Sequence, residues 1–441
     1  MIELLYSLFL LSGFVKFFCL IWAPFLMVVD FTLLSAVVVL AFYAFQFSKN
    51  LLKNEFYLLN AGRSVVFTVF LFYLWMVVSL LYTPSTGYSW FKLLTFATVV
   101  ITIIIPFIYP RFDVRRFVHG FVYLASLLNF VYTAVFPKLF ASYMSFYQNR
   151  EFVVKYLDIG YLSGLVILLA IFVGSRIKPW IRIPVIAVNF SALVISAARG
   201  PMIFFALVLV ARGIVSAFSL FKKKWTFNKK NIALLVSGLV VVGAGFYYFL
   251  GRYFPLIERV IRRLSILFDP QSSSIAERLN QIFFSIRSIF ENAANFIFGK
   301  GIGSFGIVYS GTDEKLYPHN VLLEIGFELG FIGIFLFVFL LFLYFKRIRF
   351  NLSFLAIFFY LLLNSLKSYS LVDSRIMFGV VGILFIMVCD SPVHRAVTMP
   401  HSAPNSHNQK LLEVQEPFHE KVPGGRNQKE FNGPKEGNNN E

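Results

Sequence analysis

Residues 319–349, HNVLLEIGFELGFIGIFLFVFLLFLYFKRIR, carry the pattern that decides the fold. Residues 320–345 form an almost uninterrupted apolar run, long enough to cross about 30 Å of hydrocarbon as one helix. Lys346, Arg347 and Arg349 close the run, and a hydrophilic loop enters it at His319-Asn320. A membrane span with a basic end and a histidine at its mouth is the unit from which the rest of the chain is read.

Similar runs recur along the chain. Their approximate cores are 4–24, 31–47, 64–82, 89–109, 117–136, 159–175, 183–198, 201–219, 232–250, 320–345, 352–366 and 376–390. That makes about twelve transmembrane helices. Composition agrees: 58% of the 441 residues are hydrophobic, only 14% are charged, and the mean hydropathy is +0.74. A soluble domain keeps about a quarter of its residues charged. The fold class is therefore an all-α polytopic membrane protein with one large extracytoplasmic loop. Cys19 and Cys389 fall in apolar segments at opposite ends of the chain, which suits neither a disulfide framework nor a zinc site. No small-residue cleavage site follows the first apolar run, which reads as a retained helix.

Basic residues alternate across the gaps. Lys49, Lys53 and Arg63 share one gap, and residues 83–88 have none. Arg111, Arg115 and Arg116 follow, then Arg176, Lys178 and Arg182, then five lysines within 222–230, then the cluster after residue 345; the intervening gaps are poorer, with Lys138, Arg150 and Lys155 as the main exception. The positive-inside rule puts both termini in the cytoplasm. It also accounts for most of the net charge of +18, so no nucleic-acid partner is needed. Four regions result: a transmembrane bundle of about nine helices over 1–250, an extracytoplasmic catalytic loop over 251–318, C-terminal transmembrane helices over 319–390, and a polar tail over 391–441 expected to be disordered in the cytoplasm.

The loop is where chemistry concentrates. Ile257, Ile261, Leu264 and Phe268 make one helical stripe; Leu279, Ile282, Phe283, Ile286 and Phe290 make a second, with Arg278, Gln281 and Ser285 on its polar face. Both suit a membrane interface. The basic residues here are mostly arginine: Arg252, Arg259, Arg262, Arg263, Arg278, Arg287, Lys300 and Lys315. Guanidinium forks match phosphate oxygens, so an anionic ligand and anchoring to membrane lipids are both open readings. Arg199, in Ala197-Ala198-Arg199-Gly200-Pro201, sits at a turn between spans that the Gly-Pro pair is expected to shape, on the side where positive charge is disfavoured. Gly299-Lys300-Gly301-Ile302-Gly303 allows close backbone approach and positive φ.

Of six histidines, four lie in the tail and His119 follows Arg115-Arg116. That leaves His319 alone on the far side. It follows Pro318 and is expected just inside the next helix, where free N–H groups favour an anion. A lone imidazole there can act as a general base. The loop has no Asp-x-Asp pair and no His/Cys/carboxylate cluster, so no metal or other cofactor is expected. Stabilisation of a pyrophosphate leaving group would then be electrostatic.

These residues resemble the O-antigen ligase and polysaccharide polymerase superfamily of bacterial membrane glycosyltransferases. The resemblance rests on Arg199-Gly200 after a helix, on Arg278-Leu279 heading an amphipathic helix, and on the Gly299–Phe305 turn. It is most specific in His319-Asn320 followed by nine residues, Gly330 and Gly333. It implies transfer of an undecaprenyl-pyrophosphate-linked glycan to a hydroxyl of another glycan, a lipid A core or a protein, with inversion and without a metal. It also implies that Arg199 and Arg278 hold the pyrophosphate and that His319 deprotonates or orients the acceptor. Ala198 stands where relatives often carry a hydroxyl residue. Ligase and polymerase share the donor, and the sequence does not separate them.

The rival class is a lipid-linked sugar flippase or other transporter. Such proteins place intramembrane charges and broken helices at the midplane between repeats. The spans read as lacking paired acidic residues, and no inverted repeat is evident. On this topology, green fluorescent protein fused after Asp390 should fluoresce, and alkaline phosphatase fused within 270–315 should be active. The reverse pattern would invert the orientation.

Overall fold

The computed structural model describes residues 2–22, 29–51, 62–108, 112–146, 150–174, 177–222 and 273–389. The span read at 232–250, the first loop helix at 257–268 and the tail at 391–441 lie outside them. Among the described residues every regular element is helical. The N-terminal part contributes α1 (Ile2–Trp22), α2 (Phe31–Leu51), α3 (Arg63–Ser79), α4 (Tyr88–Ile108), α5 (Val114–Phe146), α6 (Arg150–Phe172), α7 (Pro179–Ser196) and α8 (Arg199–Lys222). The loop holds α9 (Ser273–Ile289), α10 (Ala293–Phe298) and α11 (Ser304–Ser310). Then come α12 (Val321–Ile348), α13 (Leu352–Ser368), a 3-10 turn (Leu371–Ser374) and α14 (Arg375–Cys389).

Each hydropathy core within the described residues falls on one of these helices. Six segments are long and apolar enough to cross a membrane, and four more are apolar but shorter. Their outward faces are apolar too: Phe67, Phe70 and Leu74 of α3, Leu207, Val210 and Ile214 of α8, and Phe331, Phe335, Val338 and Phe342 of α12 are exposed. Rows of large apolar side chains at helical spacing suit a lipid surface and would be a liability in water. Between helices, polar clasps help set the packing. Asn129 donates to Asn189 at 2.7 Å, which donates to Ser126 at 2.8 Å, joining α5 to α7. The Tyr360 hydroxyl donates to the Tyr161 carbonyl at 2.9 Å, joining α13 to α6. Such bonds are worth about 0.6–2 kcal/mol in a bilayer.

The long helix α12 packs against α3, α9, α10, α13 and α14, and it is broken. Gly330 takes φ 66° and ψ −163° in its interior. A break leaves carbonyls without their usual partners one turn on, and in a membrane these must be satisfied within the protein. The Phe327 carbonyl accepts from Lys300 N–H at 2.8 Å and Glu328 from Gly301 N–H at 2.8 Å. Leu329 accepts from the Trp75 indole at 3.0 Å. Gly299, at φ 77°, lies directly against the break: a Cβ there would overlap the Glu328 carbonyl, and one on Gly330 would overlap the Ile297 carbonyl. The glycine-rich turn and Gly330 are two halves of one backbone contact.

Before the break, α12 carries two buried carboxylates, which corrects the reading that the spans lack paired acidic residues. Glu324 and Glu328, one turn apart, enclose the Lys92 ammonium of α4. Lys92 lies 2.7 Å from Glu328 and also bonds Glu324, with no exposure at all. Glu324 further accepts from the Ser370 hydroxyl at 2.7 Å and Leu371 N–H at 2.8 Å, and Glu328 accepts from Gly303 N–H. The pair was missed because hydropathy averages hide two glutamates within a run rich in Phe, Leu and Ile. Lys92→Met should destabilise the solubilised protein by roughly 3–5 kcal/mol, because two carboxylates lose their buried counter-charge. Thermal unfolding in detergent measures it, and an unchanged midpoint would show that the cluster contributes little.

Candidate functional site

Four connections meet at one end of the bundle. Asp313 accepts from the Ser85 hydroxyl at 2.5 Å and from Gly87 N–H at 2.7 Å, pinning the 83–88 turn to the loop. Lys315 pairs with Asp373 at 3.2 Å. The Tyr317 hydroxyl donates to the Ser368 carbonyl at 3.5 Å, and the α7–α8 turn reaches the end of α13 through Gly200 and Lys367. Gaps read as lying on the same side of the membrane are thus brought together.

Arg199 is the first residue of α8 and half-buried. The reversal before it is made not by Gly200-Pro201 but by Ala197, left-handed at φ 48°, while Gly200 and Pro201 belong to the first turn of α8. Ala198 N–H finds the Ser196 hydroxyl at 3.3 Å, so a hydroxyl two residues earlier serves the turn. Gly200 lies in a close approach: a methyl there would stand 3.2 Å from both Cδ and Nζ of Lys367, and the lysine would have to shift by a few tenths of an ångström.

Arg278 lies on α9, whose orientation is the reverse of a soluble amphipathic helix. Leu279, Phe283 and Ile286 are exposed, as is Phe290 just beyond, while Gln281, Ser285 and Ser288 are buried. The polar face turns inward on the protein and the apolar stripe outward, as a helix at a lipid surface requires. Arg278, half-buried, shares that inward face.

His319 does not open the helix. α12 starts at Val321, and Asn320 is its cap: the Asn320 side chain accepts from Leu322 and Leu323 N–H at 2.9 and 3.1 Å, and its carbonyl accepts from Glu324 N–H. Those amides are spent on the cap, so they are not available to a ligand. His319 precedes the cap in a left-handed conformation, φ 54°, a strained state that costs about 1–2 kcal/mol for a residue with a Cβ. Its half-buried ring stands edge-on to Tyr317, centroids 4.7 Å apart, and donates to the Ser368 carbonyl. Burial, and then the positive charge of Arg278, hold its pKa down at about 4, so the imidazole is neutral at pH 7 with one nitrogen open to a proton.

Residues 184–338 match the model of the O-antigen ligase family, Wzy_C. Over that segment, 155 of the 441 residues, the chain is similar to the O-antigen ligase family. No curated protein matches the chain. The matched segment runs from α7 into α12, and it includes Arg199, Arg278, His319, Asn320, Gly330 and Gly333.

Within the matched segment and its surroundings the structure sorts the loop cations. Lys300 pairs with Glu291 at 2.7 Å and Lys315 with Asp373, so neither is a spare charge for a ligand. Arg287 is exposed, and Arg252, Arg259, Arg262 and Arg263 lie outside the described residues. Arg278 acts electrostatically on His319, and both Arg278 and Arg199 act on Lys367. The three candidate site residues therefore share one neighbourhood, organised around the end of α13. Ser368 and Lys367 were missed because a lysine ending an apolar helix looks like any interfacial anchor.

Between the ordinary value of 6.5 and about 4, an unfolded chain takes up a proton that His319 in the folded site refuses. This group therefore lowers stability as the pH falls through that window. Arg278→Gln removes the repulsion and should move the His319 titration upward. Histidine NMR of the solubilised protein, with the signal assigned from His319→Gln, reads the shift; an unmoved pKa would leave burial as its sole cause.

Proposed function

We propose that this protein is a metal-independent, inverting glycosyltransferase of the cytoplasmic membrane, with the site on the extracytoplasmic side. It moves a glycan from undecaprenyl pyrophosphate to a hydroxyl of a lipid A core, a protein or another lipid-linked glycan. Arg199 and Arg278 hold the donor's pyrophosphate. The observation that carries this reading is the neutral His319, held by Ser368, beside an arginine for which no carboxylate partner occurs among the described residues.

In the proposed step the free nitrogen of His319 takes the proton of the acceptor hydroxyl. The acceptor oxygen attacks the anomeric carbon from the face opposite the pyrophosphate. The bond from that carbon to the phosphate oxygen breaks, and its electron pair leaves with the lipid pyrophosphate. The leaving group gains a negative charge, which the guanidinium forks stabilise where it develops. The low basicity of His319 has a use here. As donor phosphate offsets the charge of Arg278, the pKa of His319 rises, so the base strengthens once donor is bound.

His319→Ala should slow transfer about 10²–10⁴-fold in purified, membrane-inserted protein while donor binding persists. Arg199→Lys and Arg278→Lys keep the charge but lose the fork. Each should lower activity by an amount near the ~1.5–3 kcal/mol of a charged hydrogen bond. Transfer should survive EDTA, and a deletion strain should show altered length or attachment of its surface glycan. Normal turnover by His319→Ala would make the histidine structural. Loss of donor binding in that variant would make it a phosphate ligand instead of a base.

A further inference from the structure

We infer that Lys367 is a third cation for the phosphates of the lipid-linked donor, completing the set begun by Arg199 and Arg278. The inference rests on the pyrophosphate reading of those arginines. Lys367 lies outside the segment matched to the O-antigen ligase family, which ends at residue 338.

Its position is built by three contacts. The aliphatic stem lies on Gly200, the residue after Arg199, with Nζ 3.2 Å from where a methyl would be. The ammonium stands 5.8 Å from the centre of the Phe204 ring, one turn along α8. The next residue, Ser368, receives the Tyr317 hydroxyl and the His319 ring. Lys367 therefore bridges the Arg199 turn and the His319 turn.

Its company is equally telling. Lys92, Lys300 and Lys315, at the same end of the bundle, are each paired with a carboxylate. Among the described residues no carboxylate comes within ion-pair distance of Lys367 or Arg278. Arg278 acts on Lys367 as a like charge, and neither has a described acid paired to it, an arrangement that an anion would relieve. The ligand chemistry is a phosphate ester at the membrane surface. A diphosphate suits it best, since two arginine forks and one mobile ammonium exceed what a single phosphate can engage. When the glycosidic bond breaks, the diphosphate gains a charge, and a rotatable lysine can follow it.

The test uses full-length protein in phosphatidylcholine nanodiscs, titrated with undecaprenyl pyrophosphate. Lys367→Gln should bind about tenfold more weakly, the lower end for loss of a charged hydrogen bond. Lys367→Arg should stay within about threefold of wild type. Lys367→Met keeps the stem over Gly200, should match Lys367→Gln in affinity, and with an unchanged melting point excludes unfolding as the cause. If Arg278→Gln weakens binding and Lys367→Gln does not, the inference fails while the arginine reading stands. If neither weakens it, the pyrophosphate reading itself falls. A second arm repeats the titration with phosphatidylglycerol in the discs. Loss of affinity for that headgroup alone, with undecaprenyl pyrophosphate binding intact, would make Lys367 a lipid anchor and overturn the proposal.

Discussion

One buried ammonium organises this end of the molecule. Lys92 has no access to solvent, and its charge is tolerable only because Glu324 and Glu328 close on it. Two carboxylates and one lysine leave an extra negative charge, which is taken up by N–H and O–H donors from Ser370, Leu371 and Gly303. The donors belong to two connections, Ser370 and Leu371 to the turn after α13 and Gly303 to the glycine-rich turn. The cluster therefore holds the start of α12, the 3-10 turn after α13 and the glycine-rich turn in register with α4. Breaking such a pair costs more than it contributes when intact, so its value lies in specifying which surfaces meet.

The same turns carry the candidate site residues. Glu324 holds Ser370 and Leu371, two and three residues beyond the Ser368 carbonyl that receives His319. The break at Gly330 seats the glycine-rich turn, and α9 lies on the same helix α12 with Arg278 on its inward face. The carboxylates paired around Lys92 thus contrast with Lys367 and Arg278, which have no described carboxylate within ion-pair distance. The contrast is what an anion site at a membrane surface needs.

Much of this was legible before any coordinates. Every hydropathy core among the described residues lies on a helix, because burial in lipid demands long apolar runs whatever the tertiary fold. The singling out of Arg199, Arg278 and His319 also led to one neighbourhood. Local conformation was less legible. Pro318 pointed to a first turn with His319 just inside the helix, yet the helix starts at Val321 with Asn320 as its cap, whose side chain satisfies two amides. Gly200-Pro201 looked like the turn before α8, yet left-handed Ala197 makes it and Gly200-Pro201 fall in the first turn of α8.

What the amino-acid sequence determined by itself was therefore the membrane class, the order of the helices and the short motifs, all of which depend on neighbours within a few residues. What only the tertiary structure decided was which charges cancel. Lys92 meets its glutamates across 232 and 236 positions, and Lys315 meets Asp373 across 58. Lys367 meets the α7–α8 turn and is left without a described acid. Coulomb interactions depend on distance in space and on access to water, and neither is encoded in the spacing of residues along the chain.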